Sequence, residues 1–129
     1  VVVQVAKDFS SNVPIYLQIM DHVKLKITSG AWEPGQRLPS VRDLAVEFSV
    51  NPNTMQRALV ELERDGLLYT ERTSGRFVSQ DQQKISKVRQ EMAEEYTDNY
   101  YSAMQKLGFK YEEILNIVAN KFKKEVGDK

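Results

Sequence analysis

The sequence predicts a mainly α-helical chain with one small β-hairpin: a three-helix head closed by the hairpin, followed by a two-helix tail. Three observations predict it. Residues 38–66 carry two sets of helix start and stop signals separated by a tight turn. Two short β-prone runs flank a Gly-containing loop between residues 67 and 79. Residues 81–129 contain no Pro, have Gly only at 108 and 127, and keep an apolar stripe at helical spacing. The expected domains are a head at 1–79 and a tail at 80–129.

In chain order, residues 1–12 end in Ser10-Ser11-Asn12 and read as a lead-in. Pro14 then opens a helix expected to reach Ser29, with Gly30 as its stop. Ile15, Ile19, Val23 and Ile27 recur every four residues, with Tyr16 and Met20 beside them, so one stripe faces a core. Its N-cap is either Asn12 or Val13. Trp32 reads as a core anchor. Glu33-Pro34-Gly35-Gln36 reads as a type II turn, with Pro then Gly at its centre.

Residues 38–66 hold the informative stretch. Ser40 has Asp43 three residues on, an N-cap with the acidic half of a capping box, so a helix spans about Val41 to Phe48. Ser49 and Val50 make the turn. Asn51 is an N-cap and Pro52 takes the first helical position, where its missing N–H costs nothing. This second helix is expected to reach Asp65, with Gly66 as its left-handed stop. Leu44, Phe48, Val50, Met55, Ala58, Leu59 and Leu62 are apolar, and Ala45 is small where the helices must approach. Two helices that bury facing sides across so short a turn form a helix-turn-helix. The second helix keeps a polar N-terminal face of Asn51, Asn53, Thr54, Gln56 and Arg57. Amides, a hydroxyl and a guanidinium are the groups that read base edges and phosphates. Singly, each is an ordinary solvated helix residue; the set, at this position, points to DNA.

Leu67 to Glu71 and Arg76 to Ser79 are the hairpin strands, joined through Arg72-Thr73-Ser74-Gly75. Beside a helix-turn-helix such a hairpin is a wing. In the tail, Ile85, Val88, Met92, Tyr96, Tyr100, Ala103 and Leu107 form one stripe over some six turns. Gly108 stops it. Phe109 and Ile114 then stand where a hydrophobic staple would, with Glu113 as half a capping box and Lys110 as a poor cap. The last helix presents Tyr111, Ile114, Leu115, Val118, Phe122 and Val126. One short helical hairpin cannot cover both stripes, so a second copy is expected to supply the cover, through Met92, Tyr96, Tyr100, Leu107, Leu115, Val118 and Phe122.

Composition narrows the function. The chain of 129 residues has no Cys, which removes disulfide frameworks and thiolate metal sites, and its single His argues against a His metal cluster or a Ser-His triad. His22 reads as a surface or half-buried helix residue. The opening Val1 to Val3 is too short for a signal peptide or a membrane span, and the expectation is a soluble cytoplasmic protein with no membrane partner. Lys plus Arg is 18 and Asp plus Glu is 18, and a division at residue 80 leaves 9 of each sign on either side. The head is therefore not a basic domain. Its arginines gather, however: Arg37, Arg42, Arg57, Arg72 and Arg76 fall in or beside the motif and hairpin. Glu61, Glu63 and Asp65 lie at the far end of the second helix. Local basicity on a neutral chain fits specific binding with modest non-specific affinity.

The string Trp32-x-Pro34-Gly35-x-x-Leu38-Pro39-Ser40-x-Arg42-x-Leu44-Ala45, continued by Asn51-x-Asn53-Thr54-x-x-x-Ala58-Leu59-x-x-Leu62-x-x-Asp65-Gly66, resembles the GntR family of bacterial transcription regulators. The resemblance spans about residues 14–78. It implies a winged helix-turn-helix head that binds double-stranded operator DNA as a homodimer. It also implies DNA contacts for Ser40 and Arg42 at the first motif helix, for Asn51, Asn53 and Thr54 on the recognition helix, and for Gly75 with Ser74 and Arg76 at the wing. Many relatives have Arg where this chain has Gln56; Gln favours adenine where Arg favours guanine, so the base read there differs. Arg57 then supplies a phosphate contact. The tail of about 50 residues is too short for the larger ligand domains of the family and looks like the YtrA subfamily, whose tail is a dimerisation module and whose members often repress neighbouring transporter operons. The expected function is a dimeric repressor on an inverted-repeat operator. A small-molecule effector, of no assigned class, would act at the tail interface or the head–tail joint.

Two other classes fit less well. A winged helix used only as a protein-interaction module would carry an apolar recognition face, and Asn53, Thr54, Gln56 and Arg57 are polar. An enzyme would need a cleft beside its carboxylates. Glu94-Glu95 and Glu112-Glu113 lie on helices without a Gly-rich loop or partner base, so no catalytic residue, metal or cofactor is expected. Tyr96, Tyr100, Tyr101 and Tyr111 could line a small-molecule pocket, but their helical spacing favours core or dimer interface.

Overall fold

The computed structural model describes residues 12–127; the lead-in and its Val1 to Val3 opening lie outside the described residues. Five helices and a two-stranded antiparallel hairpin follow in order: α1 (Ile15–Thr28), α2 (Val41–Phe48), α3 (Pro52–Arg64), β1 (Leu68–Glu71), β2 (Gly75–Val78), α4 (Gln82–Lys106) and α5 (Tyr111–Gly127). They form two compact units, one ending at Arg89 and the other starting at Gln90.

In the head unit, one core collects the apolar stripes of α1, α2 and α3 with Leu38, Leu67, Leu68 and Val78. Trp32 and Val50 pack against it half-exposed. The core does not stop at the hairpin. Ile85 is buried in it and Val88 packs against it, so the first two turns of α4 belong to the head. Asp81 starts that helix: its Oδ1 accepts from the Lys84 backbone N–H at 3.1 Å.

The caps act as local chemistry requires. Pro14 itself is the N-cap of α1, which ends one residue earlier than expected, at Thr28 with Ser29 as C-cap. Ser40 Oγ accepts from the Asp43 N–H, and Asn51 Oδ1 accepts from the Asn53 N–H. Helix α3 ends at Arg64. Gly66, at φ 81°, donates to the Glu63 carbonyl and Leu67 donates to that of Leu62, a Schellman stop. Lys84 Nζ would stand 2.8 Å from a Cβ at Gly66, so a cation lies by the carbonyl end of α3.

Strand register is Leu68↔Val78, Tyr69↔Phe77, Thr70↔Arg76 and Glu71↔Gly75. A third segment joins the far edge of β2. Arg37 bridges Phe77, the Leu38 N–H donates to the Arg76 carbonyl at 2.8 Å, and the Val78 N–H donates to the Gln36 carbonyl at 2.9 Å. The Pro34-Gly35 turn makes this pairing reachable: Gln36 N–H closes it on the Glu33 carbonyl, and Gly35 N–H donates to Val78.

In the tail unit α4 and α5 meet through a Gly108 turn, and the Glu113 carboxylate accepts from the Lys110 N–H, the expected half of a capping box. No described helix is long and apolar enough to cross a membrane.

Candidate nucleic-acid interface

Helix α3 is two-sided. Met55, Ala58, Leu59 and Leu62 are buried, while Asn53, Gln56, Arg57 and Val60 are exposed at the same i, i+3, i+4, i+7 spacing. Thr54 is half-buried at the margin. The buried stripe fixes the rotation of the helix, and that rotation presents the polar stripe to solvent. Rigid presentation is what base reading needs, since a bidentate contact tolerates little angular error.

Asn51 and Ser40 serve first as caps. The Asn51 carbonyl oxygen is engaged 2.7 Å from the Asn53 nitrogen, so what it has left to offer is its NH2 group. Ser40 Oγ is engaged 3.1 Å from the Asp43 nitrogen and keeps its own hydrogen to donate. Arg42 is exposed on the first turn of α2, with no ion pair among the described residues. Arg57 is exposed, but its guanidinium carbon lies 3.8 Å above the Tyr16 ring centre. That stacking orders the side chain and leaves the in-plane N–H edges free to donate. Tyr16 is thus a platform that the sequence reading treated only as a neighbour of the core stripe.

The hairpin residues divide. Ser74 is exposed at the tip, its N–H donating to the Glu71 carbonyl. Gly75, at φ 112°, lies under the Arg37 guanidinium: a Cβ there would come within 3.1 Å of Arg37 Nε. Arg76 turns inward instead. Its side chain is 16% exposed and its Nη2 lies 3.5 Å from Glu63 on α3. Glu63 also accepts a hydrogen bond from the Thr70 hydroxyl, so one carboxylate ties α3 to both strands. The two-residue alternation of β2 explains the inward turn, because Arg76 shares a face with fully buried Val78. Arg37, noted in the sequence only as one of five clustered arginines, is exposed with its guanidinium against the wing backbone at Gly75.

The residues assigned to dimerisation lie on the tail helices and stay largely uncovered. Tyr96 is 54% exposed, Leu107 72%, Leu115 59% and Phe122 62%. Tyr100 is also exposed, while Met92 and Val118 are half-buried. Tyr100, Tyr101 and Tyr111 line an open groove of about 500 Å³ with Asp98, Leu115 and Val118; Tyr96 is not part of it.

The gntR family of bacterial regulatory proteins matches this chain over residues 15–78. The HTH-type transcriptional repressor YtrA of Bacillus subtilis (strain 168) is 34% identical over 104 residues, covering 76% of this chain and 80% of that protein. A GntR family transcriptional regulator from Listeria monocytogenes has a similar solved structure, with TM-score 0.79 and 38% identity over 87% of this chain and 98% of that one. The DNA-binding domain of AraR, solved in complex with operator ORX1, aligns with TM-score 0.50 and 30% identity over 56% of this chain and 88% of that one.

Proposed function

The chain belongs to the gntR family of bacterial regulatory proteins, whose members are DNA-binding transcription regulators, and from that premise we propose that it is a homodimeric repressor acting on an inverted-repeat operator. The exposed polar stripe of α3, set opposite its buried stripe, carries the reading. The head inserts α3 into the major groove. Asn53, Thr54 and Gln56 meet base edges; Arg42 and Arg57 hold the backbone; Ser40 and Asn51 donate from the two helix starts; Ser74 and Gly75 bring the wing to the flanking strand. Repression by the similar YtrA and operator binding by the AraR domain support the same assignment.

Dimerisation belongs to the tail. Its apolar side chains are exposed at helical spacing in a single chain, and a two-fold mate covers such a stripe without leaving an open edge. Two-fold pairing makes the operator a palindrome with half-sites about one helical turn, ~34 Å, or a multiple of it apart. Selection from a random duplex pool, followed by sizing of the complex, tests all of this. The expected result is an inverted repeat bound by two chains, with affinity that falls as salt rises. Recovery of no enriched sequence, or of a single half-site bound by one chain, overturns it.

A further inference from the structure

We propose that the cleft between the start of α2, helix α3 and the hairpin is a seat for one DNA backbone phosphate, with Arg37 as its principal cation. The proposal rests on the DNA-binding reading above and adds a site and a residue to it.

The cleft has a volume of about 330 Å³, and Arg37, Ser40, Gln56, Thr70, Gly75 and Arg76 are among its lining residues. Among the described residues no carboxylate lines it. The Thr70 hydroxyl is spent on Glu63 and Gln56 offers both an acceptor and donors, but Ser40, Arg76 and Arg37 present donors without acceptors. Ser40 has spent an oxygen lone pair on the Asp43 N–H and retains its hydroxyl hydrogen. Arg76 gives Nη2 to Glu63, while its Nε is buried with no hydrogen-bond partner. Arg37 makes no ion pair among the described residues. A surplus of N–H and O–H groups without acceptors is the complement of an anion.

Charge accounting singles out Arg37. Glu63 neutralises Arg76, so Arg76 contributes a hydrogen-bond donor and little net charge. Arg37 is exposed and makes no ion pair among the described residues, yet its backbone is fixed by the bridge to Phe77 and by the neighbouring Leu38-to-Arg76 hydrogen bond. The missing side chain at Gly75 lets the guanidinium lie against the wing backbone, since a Cβ would approach Nε to 3.1 Å. The position fits the ligand. With α3 in the major groove and the hairpin tip toward the adjacent minor groove, the strand between the two grooves must cross the space between helix and hairpin, which is where the cleft lies.

The test uses the full chain, its selected operator, and duplexes carrying a single neutral methylphosphonate walked along each strand. In Arg37→Gln the slope of log affinity against log salt should drop by about 0.9 for each head engaged. Between 50 and 200 mM salt that is a change of about 3.5-fold per head. Base preference should not change, and Arg37→Lys should restore the slope. One methylphosphonate position should weaken the parent protein and have no further effect on Arg37→Gln, while Arg72→Gln, outside the cleft, remains sensitive to it. If the parent binds its operator with the usual salt dependence but no position couples to Arg37, the phosphate seat is wrong and the DNA reading stands. If the parent selects no duplex, both fall.

Discussion

Head and tail treat their apolar residues in opposite ways. In the head, Ile19, Leu44, Phe48, Met55, Leu59, Leu62, Leu67 and Val78 are all but inaccessible, drawn from three helices and the hairpin into one core. From residue 90 onward, Ile114 alone among the described residues is buried, while Tyr96, Leu107, Leu115, Phe122 and Val126 face solvent. The head is therefore complete as one chain. The tail also keeps a helical apolar stripe but leaves most of it exposed among the described residues, the surface that the proposed dimer would cover. The same helical periodicity thus has two meanings, and burial distinguishes them.

The largest expected effect breaks the tail and spares the head. Leu115→Glu puts a charge on a side chain that is exposed in the single chain, so the fold should tolerate it while the paired tails cannot. Monomers should result at micromolar concentration in sedimentation. Operator affinity should fall by about 10²–10⁴, the gain that linkage of two sites provides. Truncation after Arg89 should do the same and still leave a folded head, because Ile85 and Val88 are retained; a cut after Ser79 would remove both from the core. A truncated head that still sediments as a dimer would place dimerisation in the head.

The converse change comes next. Leu59→Ala opens a cavity under α3 and should destabilise the head by about 2–5 kcal/mol in denaturant unfolding. Leu107→Ala, at a side chain 72% exposed, should leave unfolding of the monomeric Leu115→Glu background within about 0.5 kcal/mol. Equal losses in the two would mean that the tail has a core of its own.

Within the head, the reading stripe can be changed without touching the core. Arg42→Ala and Thr54→Ala should retain the parent's unfolding midpoint; Thr54→Ala should lose about 1–3 kcal/mol of operator affinity, and Arg42→Ala should weaken binding to all duplexes and lower the salt slope by about 0.9 per head. Gln56→Arg should shift the selected base from adenine toward guanine with a smaller change in total affinity. Folded Arg42→Ala and Thr54→Ala proteins that bind as tightly as the parent would remove those two residues from the interface, and a Gln56→Arg protein that selects the same bases as the parent would remove the stripe.

Much of this was legible in the sequence because it is local. Ser40, the Asn51-Pro52 pair and Gly66 mark helix ends through bonds made within a few residues, and the buried and exposed stripes of α3 follow from helical geometry alone. What the sequence hid is long-range. The Arg37–Phe77 bridge joins residues forty apart and has no periodic signature, and the same holds for Arg57 stacked on Tyr16. The burial of Ile85 also crosses the expected boundary at residue 80, because Ile85 begins the tail stripe and completes the head core at once. Arg76 is the exception. Its inward face could have been read from the alternation that puts it on the side of Val78, but its closeness to the Gly-containing loop suggested a tip.

The smallest effect tests the joint that gives the head its geometry. Ser49, between α2 and α3, has φ 57° and ψ 45°, and is the one non-glycine residue with positive φ among the described residues. Its N–H donates to the Val46 carbonyl and the Val50 N–H to that of Ala45, so the left-handed residue closes α2 and aims the chain at the Asn51 cap. A side chain in this region costs about 1–2 kcal/mol, and glycine returns about 0.5–1 kcal/mol of that through the greater freedom of its unfolded chain. Ser49 is exposed and its hydroxyl makes no hydrogen bond among the described residues. Ser49→Gly should therefore stabilise the head by roughly 0.5–1 kcal/mol, with operator affinity and dimerisation unchanged. A loss of stability would mean that the serine side chain holds the turn. Unchanged stability with weakened operator binding would mean that the turn's rigidity, rather than its energy, sets the angle at which α3 is presented.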